Sequence, residues 1–164
     1  MSETLALAPA RRSPWPAILT GGFAVAALDA IFFTAFWAPQ GVPPTRILQT
    51  IASGLLGMAS FQGGAGTAWL GAGLHGFIAT MMVLAYYLVG ARADALLRHP
   101  VRYGLPYGLL LYGVMNYIVL PLSNAPQSSK INLAWLLSSI AMHMVFGVMC
   151  AWFARRAHRT RVGT

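Results

Sequence analysis

Four long apolar runs constrain this chain more than any other feature: residues 16–38, 64–90, 101–122 and 133–154. Crossing the hydrocarbon core of a bilayer takes about 20 such residues. None of the runs contains Lys or Glu, Asp29 is the only acid inside them, and Arg102 sits at the edge of the third. In lipid a chain must satisfy its own backbone, so each run is expected to be a helix. Only 9% of the 164 residues are charged and 57% are hydrophobic. A soluble domain carries about 25% charged residues, and one this small cannot bury so much apolar surface. A soluble globule and a disordered chain are both excluded. The expected fold is an all-α membrane protein: one four-helix transmembrane bundle over 16–154, an N-terminal tail 1–15 and a basic tail 155–164. Ala24-Val25-Ala26 resembles a leader cleavage site, but the apolar stretch continues past it to Trp37, so the first run reads as an uncleaved span.

Charge orients the bundle. The net charge is +8. In a soluble protein that would suggest nucleic acid; here the cations gather at the ends of apolar runs, where anionic lipid headgroups are the expected partner and nucleic acid is not. Arg11, Arg12, Arg92, Arg98, Arg102, Arg155, Arg156, Arg159 and Arg161 fall on one side, and Arg46 and Lys130 on the other. Nine against two places both termini in the cytoplasm. Tryptophans bracket the spans as interfacial residues do: Trp15 and Trp37 the first, Trp135 and Trp152 the fourth. The preference for Arg over Lys suggests a GC-rich bacterial genome, and hence the inner membrane. Cys150 is the sole cysteine, which excludes an intrachain disulfide and a cysteine-based metal cage.

The connection 39–63 is long. Pro43-Pro44-Thr45 offers a helix start, and Ile47, Leu48, Ile51, Leu55 and Met58 recur at helical spacing beside Arg46, Gln49, Thr50 and Ser53. Residues 45–60 are too short to span. They read as an amphipathic helix at the outer interface, either a lid over the bundle or a gate over an outer cavity.

Small residues recur every fourth position in the spans: Gly22, Ala26, Ala30, Thr34 in the first; Ala68, Ala72, Gly76, Thr80 in the second; Gly104, Gly108 in the third; Ser139, Gly147, Ala151 around His143 in the fourth. Such stripes mark close helix contacts in lipid. Asp29, His75, Asn116 and His143 lie on or beside them, one per span, at similar expected depths in the outer half. Leu28-Asp29-x-Ile31 and Met115-Asn116-x-Ile118, each followed by Ala-Pro-Gln, also suggest a parallel internal repeat. Three readings of this polar layer stay open. It is a structural network that sets helix register; it binds a proton, cation or small solute; or His75 and His143 ligate a b-type haem, with Asp29 orienting one ring. No catalytic acid–base–nucleophile set and no protein metal site is expected. His99 and His158 read as solvated, and Ser138 and Ser139 as bonded back to helix carbonyls. A second copy or another membrane protein is an expected partner.

Gly41-Val42-Pro43-Pro44-Thr45-Arg46-Ile47-Leu48-Gln49-Thr50-Ile51-Ala52-Ser53-Gly54-Leu55-Leu56-Gly57 and Met115-Asn116-Tyr117-Ile118-Val119-Leu120-Pro121-Leu122-Ser123 resemble a group of small four-span bacterial inner-membrane proteins with no known activity. The resemblance implies that membrane and names no chemistry.

Overall fold

The computed structural model of the chain describes residues 13–126 and 132–162. Arg11, Arg12, Lys130 and Gln127 of the second Ala-Pro-Gln lie outside the described residues. Helix α1 (Trp15–Trp37) has Pro16 in its first turn, where a missing N–H costs nothing, and ends in a short 3₁₀ turn, Ala38–Gln40. Helix α2 (Pro44–Leu56) leads through a 3₁₀ segment, Gly57–Gln62, into α3 (Gly64–Gly90). A short α4 (Asp94–Arg98) precedes α5 (Pro100–Leu122). The last helix, α6 (Leu133–Val162), starts at Asn132, whose Oδ1 accepts the N–H of Trp135 at 3.0 Å.

Four of these helices are long and apolar enough to cross a membrane, with mean hydropathies of 1.8, 1.6, 1.5 and 1.8 in chain order. Within the molecule only 17% to 33% of each apolar window is buried. The remaining faces expose Phe23, Ile31, Trp69, Phe77, Leu110 and Leu137. A stable surface of that kind needs an apolar solvent, which fits a multi-pass integral membrane protein.

Helices α1, α3 and α6 pack mutually, and α5 lies along α6. The packing is made by glycine. Gly104 and Gly108 of α5 meet the backbone of α6 at His143–Met144 and Gly147–Val148, and Gly147 meets the backbone of α5 in return. A side chain at any of the three would strike main chain, so the two helices approach as closely as small-residue packing in lipid allows. Gly22 packs on Thr80 and Gly21 on Phe153. Ile18, Val83, Tyr86, Phe146, Cys150 and Ala154 fill the centre. Tyr107 of α5 reaches α3, donating its hydroxyl to the Met82 carbonyl at 2.8 Å.

Three elements differ from the sequence expectation. Residues 155–162 continue α6 as helix instead of forming a separate tail, because nothing after Ala154 breaks it. Helix α2 ends at Leu56, since Gly57 adopts φ +59°, a turn that favours glycine. It buries Gln49, Ala52 and Ser53 against α3, where the Leu48 carbonyl fills the space beside Gly71, and it leaves Leu55 and Leu56 exposed, as is Met58 in the 3₁₀ segment that follows. Of the polar residues, Gln49 and Ser53 thus pack inward, Gln49 reaching the Gly64 carbonyl at 3.0 Å, while Arg46 and Thr50 stay exposed. Finally, α5 widens into a π turn at Met115–Val119. Pro121 has no N–H and cannot accept a regular turn below it, a known cause of such a bulge.

Candidate intramembrane polar site

The site lies where α1, α3 and α6 meet. His75 is about 16 Å along α3 from Gly64, and its ring faces α1. Its Nε2 stands 3.1 Å from the Ala26 carbonyl and 3.5 Å from Oδ2 of Asp29. The Phe33 ring meets the imidazole edge-on at 5.5 Å. Both partners are shielded, with 16% and 25% of the two side chains exposed. A carbonyl only accepts, so Nε2 carries the hydrogen and Nδ1 is the basic nitrogen of His75.

His143 comes from the other side. Its Nδ1 donates to the Ser139 carbonyl one turn back, at 2.8 Å, which leaves Nε2 as its basic nitrogen. Its ring packs edge-on against Tyr112 at 5.4 Å and tilted against Phe146 at 5.6 Å. It lies within electrostatic reach of the Asp29 carboxylate. Of the four residues picked from the sequence, the structure therefore brings Asp29 and His75 together across α1 and α3, with His143 on the neighbouring α6 and not in direct contact with either.

Asn116 stands apart. Its Nδ2 donates to the Tyr112 carbonyl at 2.9 Å, inside the π turn. Gly108 is the residue of α5 that crosses His143, and Asn116 lies about 12 Å further along the helix. Its link to the site runs through Tyr112. The two arms of the suggested repeat differ as well, since Asp29 sits in regular α-helix and Asn116 in the bulge.

Beside His75 a lateral groove of about 360 Å³ opens between α1 and α3. Ala26, Ala30, Ala72 and Gly76 form its walls, Leu48 of α2 covers one end, and Thr80 stands at the other. A Cβ added at Gly76 would meet nothing, so the groove is real space left by small residues. His143 does not line it. A haem held by both imidazoles needs one cavity common to both, and this groove is not that cavity. Among the described residues no three His, Cys, Asp or Glu side chains are gathered closely enough to hold a metal ion.

Sequence reasoning found the ionisable groups and missed their backbone partners. The Ser139 carbonyl was foreseeable, being one turn before His143. The Ala26 carbonyl was not, because its approach to His75 depends on how α1 and α3 cross. Ser138 does bond back, to the Ala134 carbonyl at 2.7 Å, as its helical setting suggested. No family model matches the chain, and neither a curated protein nor a solved structure is similar to it.

Proposed function

We propose that this chain is a multi-pass protein of a bacterial inner membrane, with both termini in the cytoplasm and α2 at the outer interface, and that Asp29, His75 and His143 bind a proton in its outer half. The carrying observation is the carboxylate–imidazole pair across α1 and α3, 3.5 Å apart and largely shielded. An ionisable residue at such depth is a functional candidate by default. A proton suits the donors better than a metal cation does. A hard cation takes six to eight oxygens or near-octahedral oxygen geometry, whereas this site offers one carboxylate in contact with one imidazole, with His143 beyond them. A polar solute is disfavoured by the alanine and glycine walls of the groove. The orientation rests on the nine-to-two charge split, and the bacterial inner membrane on composition and on the resemblance of residues 41–57 and 115–123.

Proteoliposomes with a trapped pH-sensitive dye test the site. Wild-type protein should relay protons across the bilayer under an imposed gradient, and Asp29→Asn, which keeps the shape of the side chain, should abolish this. Equal flux with and without the wild-type protein sinks the reading. A reduced-minus-oxidised optical spectrum of the purified protein covers the electron-transfer alternative. Sharp haem bands lost in His75→Ala or His143→Ala would replace proton binding with haem ligation. Fusions at both termini and at Lys130 test orientation, and an active periplasmic reporter at the C-terminus overturns it.

A further inference from the structure

The end of the molecule opposite the polar site carries a second cleft. It measures about 160 Å³ and lies between α4 and the last turns of α6, lined by Asp94, Leu97, Arg98, Arg155, His158 and Arg159. We propose that this cleft binds the phosphate of an anionic phospholipid headgroup. The inference goes beyond the proton site and depends only on the reading of α1, α3, α5 and α6 as spans.

The cleft is built rather than incidental. Helix α4 is anchored on α3 by the Tyr86 hydroxyl, which donates to the Leu96 carbonyl at 3.0 Å. Leu97 is buried over Gly90, where a Cβ would come within 2.7 Å of the leucine side chain. These contacts hold Arg98 opposite α6. On α6, Arg155 and Arg159 are one turn apart and share a face, with His158 beside them.

Charge and hydrogen bonding are both incomplete there. Among the described residues Asp94 is the single carboxylate at the cleft, and its Oδ2 lies 3.4 Å from Nη2 of Arg98 in an exposed pair that contributes little. Arg155 and Arg159 form no ion pair among the described residues. Nδ1 of His158 is buried without a hydrogen-bond partner among the described residues, and a buried ring nitrogen in a folded protein ordinarily has one. Three guanidiniums against one carboxylate, around an unmet imidazole nitrogen, suit an oxyanion with several acceptor atoms.

Depth selects the source of that oxyanion. Trp152 is exposed one turn before Arg155, and tryptophan favours the headgroup level. The guanidiniums therefore stand where lipid phosphates are. The cleft has room for a phosphodiester and a few waters, at about 30 Å³ per water, while Leu97 and the arginine stems offer apolar contact to the adjoining glycerol.

Native mass spectrometry of the full-length protein, titrated with dioleoyl-phosphatidylglycerol, dioleoyl-phosphatidylcholine or inorganic phosphate, tests the proposal. Wild type should retain one phosphatidylglycerol in preference to phosphatidylcholine. Arg155→Gln and Arg159→Gln should each weaken that retention about fivefold, the equivalent of about 1 kcal/mol per surface cation. Arg92→Gln and Arg102→Gln lie outside the cleft and should leave it unchanged. Arg159 is exposed, so its variant folds and stays informative. Equal losses from all four variants would show diffuse basic attraction and overturn the site. Equal retention of both lipids overturns it too, as does displacement of phosphatidylglycerol by inorganic phosphate at matching concentration, which would mark a soluble-anion site. Release of the chain from membranes by alkaline carbonate would instead sink the spans themselves, whatever the binding data.

Discussion

Asp29 shows how a residue's neighbours decide what a substitution does. Its carboxylate lies 3.5 Å from an imidazole nitrogen that is hydrogen-bonded to the Ala26 carbonyl. Removing the carboxylate therefore leaves His75 partly satisfied. Asp29→Asn should fold like wild type, and Asp29→Leu should lose about 1 kcal/mol, the low end for a shielded polar group deprived of its partner. Thermal unfolding in detergent measures both. Equal midpoints for Asp29→Leu and wild type would show that the pair does not contribute to stability. The glycines divide in the same way. Gly108→Ala puts a methyl into the main chain of α6 at His143 and should cost about 1–3 kcal/mol as an overpacked contact. Gly73→Ala meets nothing and should be neutral or stabilise by up to about 1 kcal/mol through helix propensity. The same melts compare the two, and equal effects would show that Gly108 is not a contact residue.

At the scale of elements, α2 owes its position to polar contacts at both ends. Gln49 ties it to the start of α3, while Asn124, from the turn after α5, takes up its final carbonyls. The Asn124 N–H reaches the Gly54 carbonyl at 3.0 Å, and its Nδ2 reaches that of Leu55 at 3.0 Å. The last carbonyls of a helix have no partner within it, so this bond secures α2 to a segment remote in sequence. Asn124→Ala keeps the backbone bond and loses the amide bond, which should cost about 1 kcal/mol. A protease cutting within residues 57–63 should then act faster, because α2 leaves α3 more often. Unchanged cleavage would show that α2 is held by Gln49 and packing alone. An aromatic group performs the matching task between α1 and α6: Trp135 stacks on Phe32 at 5.5 Å and meets Phe36 at 4.9 Å and Trp37 at 5.3 Å. The belts placed Trp37 and Trp135 at one end of the bundle, and the structure has them in contact.

For the whole molecule, α6 is the central element, packed on α1, α3 and α5. Cys150 sits fully buried within that packing. As the only cysteine in the chain, it reports global opening. A membrane-permeant maleimide should label the folded protein at the rate of unfolding and the denatured protein at once. Rapid labelling of the native protein in lipid would show that the contacts around α6 open far below the unfolding transition.

How far the chain was readable varies with the distance over which a property acts. The number, length and polarity of the spans follow from local hydropathy, because crossing a fixed apolar thickness is a condition on each stretch separately. The helical α2 was legible for the same reason. Neighbourhood was not. Several arrangements of four apolar helices satisfy one hydropathy pattern, since lipid covers whichever faces are left outside. The choice among them came from close backbone contact at Gly104, Gly108 and Gly147, at Gly22 with Thr80 and at Gly71 with α2. That packing put the Ala26 carbonyl on His75, carried Asn116 about 12 Å along α5 from the crossing at His143, turned Gln49 and Ser53 of α2 inward and buried Nδ1 of His158 where solvent was expected. Hydropathy is a property of one residue at a time, whereas glycine contact, and the carbonyl that a side chain on one helix finds on the next, are properties of two helices together.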